Sequence, residues 1–113
     1  MGNPDFAVLS LNELMSSKHE VVAVVTSPDK PRGRGKLVLP TAVAQRASDY
    51  ALPVIQPASL KNESFVSQLR ELKADLFVVV AFRLLPSTVL EIPKIGSMNL
   101  HPSLLPKYRG AAP

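Results

Sequence analysis

Asn99 and His101 stand two residues apart near the end of the sequence, and Pro102 follows the histidine directly. Side chains two apart on a β-strand point to the same face, so a strand ending here would project the amide and the imidazole together. An amide can donate to an oxyanion, and a histidine can move a proton near neutral pH. The pair therefore suits attack on a carbonyl carbon. The alternative is a capped strand end whose histidine only satisfies a backbone group.

The residues after this pair form a corner between two prolines, Pro102 and Pro106, which enclose Ser103, Leu104 and Leu105. Prolines restrict the backbone on both sides. Leucines held in such a loop either line a ligand pocket or pack beneath the sheet, and both interpretations stay open on burial statistics.

The segment 27–40 combines three prolines and two glycines with four cations, which are Lys30, Arg32, Arg34 and Lys36. Its composition predicts a long loop, and its charge favours contact with phosphate or nucleic acid. Val38 replaces the third glycine of a dinucleotide fingerprint, and Leu37 replaces the Ser or Thr of a P-loop, so both of these motifs are excluded. The alternative is a solvated surface loop.

Arg83 follows an apolar run that ends at Phe82, and it precedes Leu84 and Leu85. Placed where a strand ends, the guanidinium could flank a planar ligand while the backbone groups of the two leucines read the ligand's edges. The alternative is an ordinary exposed loop cation.

Strands and helices that alternate along the chain must position these groups. Apolar runs predict strands at 20–26, 52–55, 75–81 and 96–101, and helical spacing predicts helices that start near Asp5, Val43 and, behind an Asn62 cap, Phe65. A short helical turn is expected at 87–91. This order predicts an α/β fold with a mostly parallel, doubly wound, Rossmann-like sheet. We expect the sheet to be incomplete at both ends, because no strand precedes Gly2 and Pro113 stands where another helix should begin.

Composition limits the function classes. The chain has 113 residues, which allow one domain at most, and 13 Lys and Arg against 9 Asp and Glu give a net charge of +4. The absence of cysteine excludes disulfides and cysteine-ligated zinc, and no metal-ligand spacing of His, Asp and Glu is present, so we expect no metal. No membrane span or secretory signal is visible, so we expect a cytoplasmic protein without a membrane partner.

Several segments together resemble one known family. They are MGNPDFAV at 1–8, VVTSPDKPRGRGK at 24–36, LPVIQP at 52–57, ADLFVVVAF at 74–82 and MNLHPSLLPKYRGAAP at 98–113. In these the chain resembles the N-terminal formyltetrahydrofolate-dependent transferase domain of the methionyl-tRNA formyltransferases. NLHPSLLPKYRG is specific for the wider superfamily, and PDKPRGRGK points to the members that act on initiator tRNA.

The resemblance implies transfer of a formyl group from 10-formyltetrahydrofolate, as donor substrate, to the amino group of methionyl initiator tRNA. It implies that Asn99 holds the formyl oxygen and that His101 stabilises the tetrahedral intermediate. It implies folate contacts from Phe82, Arg83, Leu84, Leu85, Ser103, Leu104, Leu105 and Pro106. It also implies tRNA contacts from the cations at 30–36, above all Arg34.

The resemblance further implies that residues 1–113 are part of an N-terminal domain. The family's first strand, its later strands with the catalytic aspartate, and its C-terminal domain lie outside them. The chain alone is then expected to be inactive, and the full-length protein to be a monomer. Two alternatives remain. One is a formyltransferase that acts on glycinamide ribonucleotide or an amino sugar nucleotide, and the other is a non-catalytic nucleotide- or RNA-binding module.

Overall fold

The computed structural model describes residues 1–2, 5–32 and 37–100, which contain four helices and six strands. The helices are α1 (Asp5–Ser16), α2 (Ala42–Asp49), α3 (Glu63–Leu72) and α4 (Ser87–Leu90). The strands are β1 (Val24–Val25), β2 (Lys30–Arg32), β3 (Leu37–Leu39), β4 (Val54–Ile55), β5 (Leu76–Val80) and β6 (Gly96–Leu100).

Local side-chain contacts mark where the helices begin and end. The Asn62 side chain accepts from the Ser64 N–H at 2.8 Å, which confirms the predicted cap of α3. The Thr41 hydroxyl caps α2 in the same way by accepting from the Ala44 N–H at 3.0 Å. Helix α3 ends where Lys73 adopts a left-handed conformation with φ 52°, a geometry that closes many helices.

The sheet is assembled from two parallel strand pairs with the start of the chain between them. β1 pairs with β4, β5 pairs with β6, and both pairs are parallel. Met1 and Gly2 link the pairs, because Val80 donates its N–H to the Met1 carbonyl at 2.7 Å and Gly2 donates its N–H to Val25 at 3.0 Å. The spatial order is therefore β4, β1, Met1–Gly2, β5, β6.

Helices cover both faces of this sheet. On one face α1 and α2 pack against Val24 and Val80, and on the other face α3 and α4 pack against Val25 and Val79. The chain passes from Met1–Gly2 through α1 to β1 on one side, and later through α3 to β5 on the other. The predicted mostly parallel, doubly wound α/β fold is confirmed, and strand order reverses at Met1–Gly2. In such sheets ligands bind outside the carboxyl ends of the strands at this reversal.

Three sequence predictions differ from the structure. The strand predicted at 52–55 is assigned only at Val54–Ile55. The strand predicted at 20–26 is assigned only at Val24–Val25, because β4 pairs with it at two positions and, among the described residues, only Gly2 contacts its other edge. The predicted loop at 27–40 instead contains an antiparallel pair, β2 with β3. Pro31 fits there because each strand of a two-stranded ribbon is an edge and has no second neighbour that needs an N–H.

Candidate active site

The carboxyl ends of four parallel strands meet at one edge of the sheet. The segments that leave this edge are 26–29 after β1, 56–58 after β4, 81–85 after β5, and the last residues of β6. Most of the described polar and aromatic side chains that were predicted to take part in catalysis or binding lie in these segments. The candidate site is this edge, next to Met1–Gly2.

Asn99 is exposed and lies opposite Val79, one residue before the end of β6. Strand alternation places it on the same sheet face as Ser97, whose hydroxyl donates to the Leu90 carbonyl of α4 at 2.9 Å. The amide therefore stands on the sheet face that α3 and α4 cover. His101 lies outside the described residues, so its position beside Asn99 stays a prediction.

Arg83 joins two of the loops at this edge. Its guanidinium donates to the Pro57 carbonyl at 2.8 Å and to the Ala58 carbonyl at 3.2 Å, and it lies 5.0 Å from the centre of the Phe82 ring. Its Nε is buried and has no hydrogen-bond partner in the described part of the chain. Neither sequence interpretation of Arg83 anticipated that it would tie the loop after β5 to the loop after β4.

The neighbours of Arg83 in the loop lie in three different environments. Leu85 is buried and packs in the same core cluster as Val89, while Phe82 is half-buried against that cluster. Leu84 has 96% of its surface exposed. A predicted donor-binding segment thus presents one leucine to solvent and anchors the next in the core.

The turn from β5 into this loop has an unusual backbone. Ala81 adopts φ 44°, the left-handed region that residues with a Cβ rarely occupy. Such strained residues persist where the surrounding structure holds them, often at functional sites. Here Val80 is anchored in the sheet and Arg83 is tied to the β4 loop on the two sides of Ala81.

Gln56, the residue directly after β4, also connects two loops of this edge. Its side-chain amide donates to the Asp29 carboxylate at 2.8 Å and to the Ser27 carbonyl at 3.3 Å. In the core, the hydroxyls of Thr26 and Thr41 are hydrogen-bonded at 2.6 Å. A polar residue directly after a strand was the available signal, but its partners are far away in the sequence.

The basic segment leaves the same edge as the β2–β3 hairpin. Lys30 is exposed at the start of β2, Arg32 ends that strand, and β3 presents exposed apolar side chains. The remaining predicted site residues lie outside the described part of the chain; they are Arg34, Lys36, His101, Ser103, Leu104, Leu105 and Pro106.

Neither a metal cluster nor a membrane-spanning helix is found in the described residues. Within 1–2, 5–32 and 37–100, no three His, Asp or Glu side chains are arranged to hold a metal ion. In the same ranges, none of the helices has the length and apolar character that a bilayer crossing needs.

Comparison with known proteins extends over the whole sequence. A family model described as formyl transferase matches residues 1–113. A methionyl-tRNA formyltransferase of Parabacteroides distasonis is 56% identical over 114 aligned positions, which cover all of this chain and 35% of that protein. Proteins of the same name from Bacteroides thetaiotaomicron and Moorella thermoacetica are 55% and 54% identical, with 35% and 37% of their lengths covered. The chain thus spans about a third of the length of the curated relatives it matches.

Proposed function

The chain belongs to the formyl transferase family, and we propose that it is part of an enzyme that formylates methionyl initiator tRNA with 10-formyltetrahydrofolate as donor. The observation that carries the proposal is an exposed amide, Asn99, at the carboxyl edge of a doubly wound sheet, close to the reversal of strand order. Relatives that match the whole chain and bear the name methionyl-tRNA formyltransferase support the choice of acceptor.

In the proposed reaction the methionine amino nitrogen attacks the formyl carbon, a new C–N bond forms, and the bond from that carbon to the folate nitrogen breaks. The proton lost by the amine ends on the departing folate nitrogen. Asn99 donates from its side-chain amide to the formyl oxygen as that oxygen becomes negative. We expect strand alternation to bring His101 to the same face, where it would stabilise the intermediate and carry the proton.

The donor site in this proposal is formed by the loop after β5 and by the corner at 102–106. Leu84 contributes exposed apolar surface, Phe82 a half-buried ring, and Leu85 the anchor of the loop in the core. Arg83 acts there by holding the loop through its two carbonyl contacts. Ser103, Leu104, Leu105 and Pro106 complete the folate site.

The tRNA contacts in this proposal come from the β2–β3 hairpin. Lys30, Arg32, Arg34 and Lys36 would neutralise phosphates of the acceptor stem, because four cations in one short segment suit a nucleic-acid backbone. The hairpin leaves the edge that carries Asn99, so one bound tRNA could reach both. We further propose that the full-length enzyme is a cytoplasmic monomer, and that residues 1–113 alone do not turn over.

Formylation by the full-length protein tests the assignment. We expect His101→Ala to lower kcat by about 10²- to 10⁴-fold, because it removes general acid–base chemistry, and to leave folate binding largely unchanged. His19→Ala is the matched control, since the other histidine is exposed before β1, at the opposite edge of the sheet. Unchanged kcat in His101→Ala, or an equal loss in both variants, would overturn the catalytic role.

A further inference from the structure

The segment that contains the β2–β3 hairpin leaves the core and returns to it at one point. Thr26, directly after β1, and Thr41, which caps α2, are both buried, and their hydroxyls are hydrogen-bonded at 2.6 Å. Between them β2 and β3 form the antiparallel ribbon. This pair anchors both ends of the segment in the core, but it does not fix the direction in which the ribbon leaves the sheet.

The side-chain amide of Gln56 contacts the chain just before the ribbon begins. It donates to the Asp29 carboxylate at 2.8 Å and to the Ser27 carbonyl at 3.3 Å. Asp29 directly precedes Lys30, which pairs with Leu39 as the first pair of the ribbon. Because one amide holds a side chain and a backbone carbonyl two residues apart, it sets the direction in which the chain enters β2.

Gln56 is itself held on both sides along the chain. Before it, the Ile55 carbonyl accepts from the Thr26 N–H at 3.0 Å. After it, Pro57 is buried, and its carbonyl accepts from the Arg83 guanidinium at 2.8 Å. The loop after β4 therefore contacts the base of the hairpin through one residue and the loop after β5 through the next.

The partner of Gln56 is an acid in a basic segment. Asp29 is the only Asp or Glu between positions 27 and 40, where four cations stand. A carboxylate beside Lys30 repels phosphate, so charge alone gives no reason for an acid at this position if the segment binds nucleic acid. The contact with Gln56 supplies one, because a charged acceptor makes a stronger hydrogen bond than a neutral one.

We propose that Gln56 is a positioning residue, which holds the base of the hairpin in a fixed direction relative to the loop after β5. This inference rests on the proposed function, in which the hairpin binds the acceptor tRNA and the loop after β5 binds the formyl donor. Gln56 acts through Asp29 and Ser27 and contacts neither substrate. A hairpin that is ordered before the tRNA arrives loses less conformational entropy on binding, so the contact favours binding of the acceptor.

Steady-state formylation by the full-length protein tests the positioning role. We expect Gln56→Ala and Asp29→Ala to raise the KM for methionyl-tRNA about fivefold or more, with kcat within about threefold, because the bound tRNA restores the order of the hairpin. The KM for 10-formyltetrahydrofolate should stay within about twofold, since Arg83 still holds the donor loop. Gln68→Ala is the control, because Gln68 is exposed on α3, and we expect it to change neither KM.

Asp29→Asn separates positioning from charge. It removes the same negative charge as Asp29→Ala but keeps an oxygen that can accept from Gln56. We expect the KM for methionyl-tRNA in Asp29→Asn to equal that of the unchanged protein or to fall below it. A KM in Asp29→Ala no higher than in Asp29→Asn would overturn the positioning role, and so would an equal rise in the KM for the donor.

A distance measurement without substrate tests the same role independently of the reaction. Spin labels are attached at Val38→Cys on β3 and Ser67→Cys on α3, both exposed positions, as the only cysteines of the full-length protein. We expect a broader distance distribution in Gln56→Ala and Asp29→Ala than in Asp29→Asn or without a further change. Equal widths in all four would overturn the inference. A protein that formylates no methionyl-tRNA would instead overturn the proposed function, and the widths would still decide whether Gln56 holds the hairpin.

Discussion

The guanidinium of Arg83, three residues past the end of β5, donates to the carbonyl of Pro57, two residues past the end of β4, at 2.8 Å. This contact spans the edge of the sheet from one strand pair to the other. In the sheet, β1 and the Met1–Gly2 position, where the strand order reverses, lie between the two strands that these loops follow. The loop proposed to hold the formyl donor is thereby tied to a second loop, in addition to its anchor at Leu85.

Replacing Arg83 by alanine is expected to lower the free energy of unfolding by about 1–2 kcal/mol, since two charge-assisted hydrogen bonds to carbonyls are lost, of which one is exposed and the other partly buried. Urea denaturation measures the change. Arg70→Ala serves as the control, because Arg70 is exposed on α3, and we expect it to stay within about 0.5 kcal/mol. Equal stability of the two variants would show that the contact contributes little.

Stability of the chain with a free Met1 amino group is expected to rise between about pH 6 and pH 8. Burial lowers the pKa of this group from 8.0 to about 6 in the folded state. The unfolded chain therefore binds more protons in that window, and unfolding becomes less favourable as pH rises, by about 2–3 kcal/mol in total. Below about pH 6 the buried Met1 amino group lowers the free energy of unfolding by the full amount, and above about pH 8 it no longer lowers it.

Denaturation of the chain and of its N-terminally acetylated form across this window checks that prediction. The acetylated chain has no titrating amino group but keeps an N–H that can donate to Val78. The difference between the two forms should shrink from pH 6 to pH 8. A constant difference would contradict the burial of the amino group.

In the full-length protein, replacing Lys30, Arg32, Arg34 and Lys36 by glutamine is expected to weaken tRNA binding. The slope of log affinity against log salt concentration should fall in magnitude by about 2 or more, because each lost phosphate contact removes about 0.7–0.9 of the slope. Filter binding at several salt concentrations measures this.

A second quadruple variant provides the matched control for charge. Lys61, Arg70, Lys73 and Lys94 are exposed elsewhere on the described surface, and replacing them by glutamine changes the net charge equally. If the salt slope falls by the same amount in both variants, tRNA affinity depends on net charge and not on the cations of the hairpin. If the hairpin variant binds as before, the acceptor is another formyl-accepting molecule or the proposal fails.

Local sequence pattern determined much of the fold. The Asn62 cap predicted the start of α3, and the β-branched run predicted β5 to within a residue at each end, because both signals depend on neighbours along the chain. Alternation of strands and helices predicted the doubly wound sheet. It also predicted that Asn99 would stand at the carboxyl edge.

Tertiary structure alone decided which distant groups meet. The prolines of the segment 27–40 led the sequence pattern to predict a loop. The structure instead pairs β2 with β3, which are two short strands. Arg83 is hydrogen-bonded to Pro57, and Gln56 is hydrogen-bonded to Asp29, across sequence separations of 26 and 27 residues. Such relationships depend on packing in three dimensions, and no local period in the sequence encodes them.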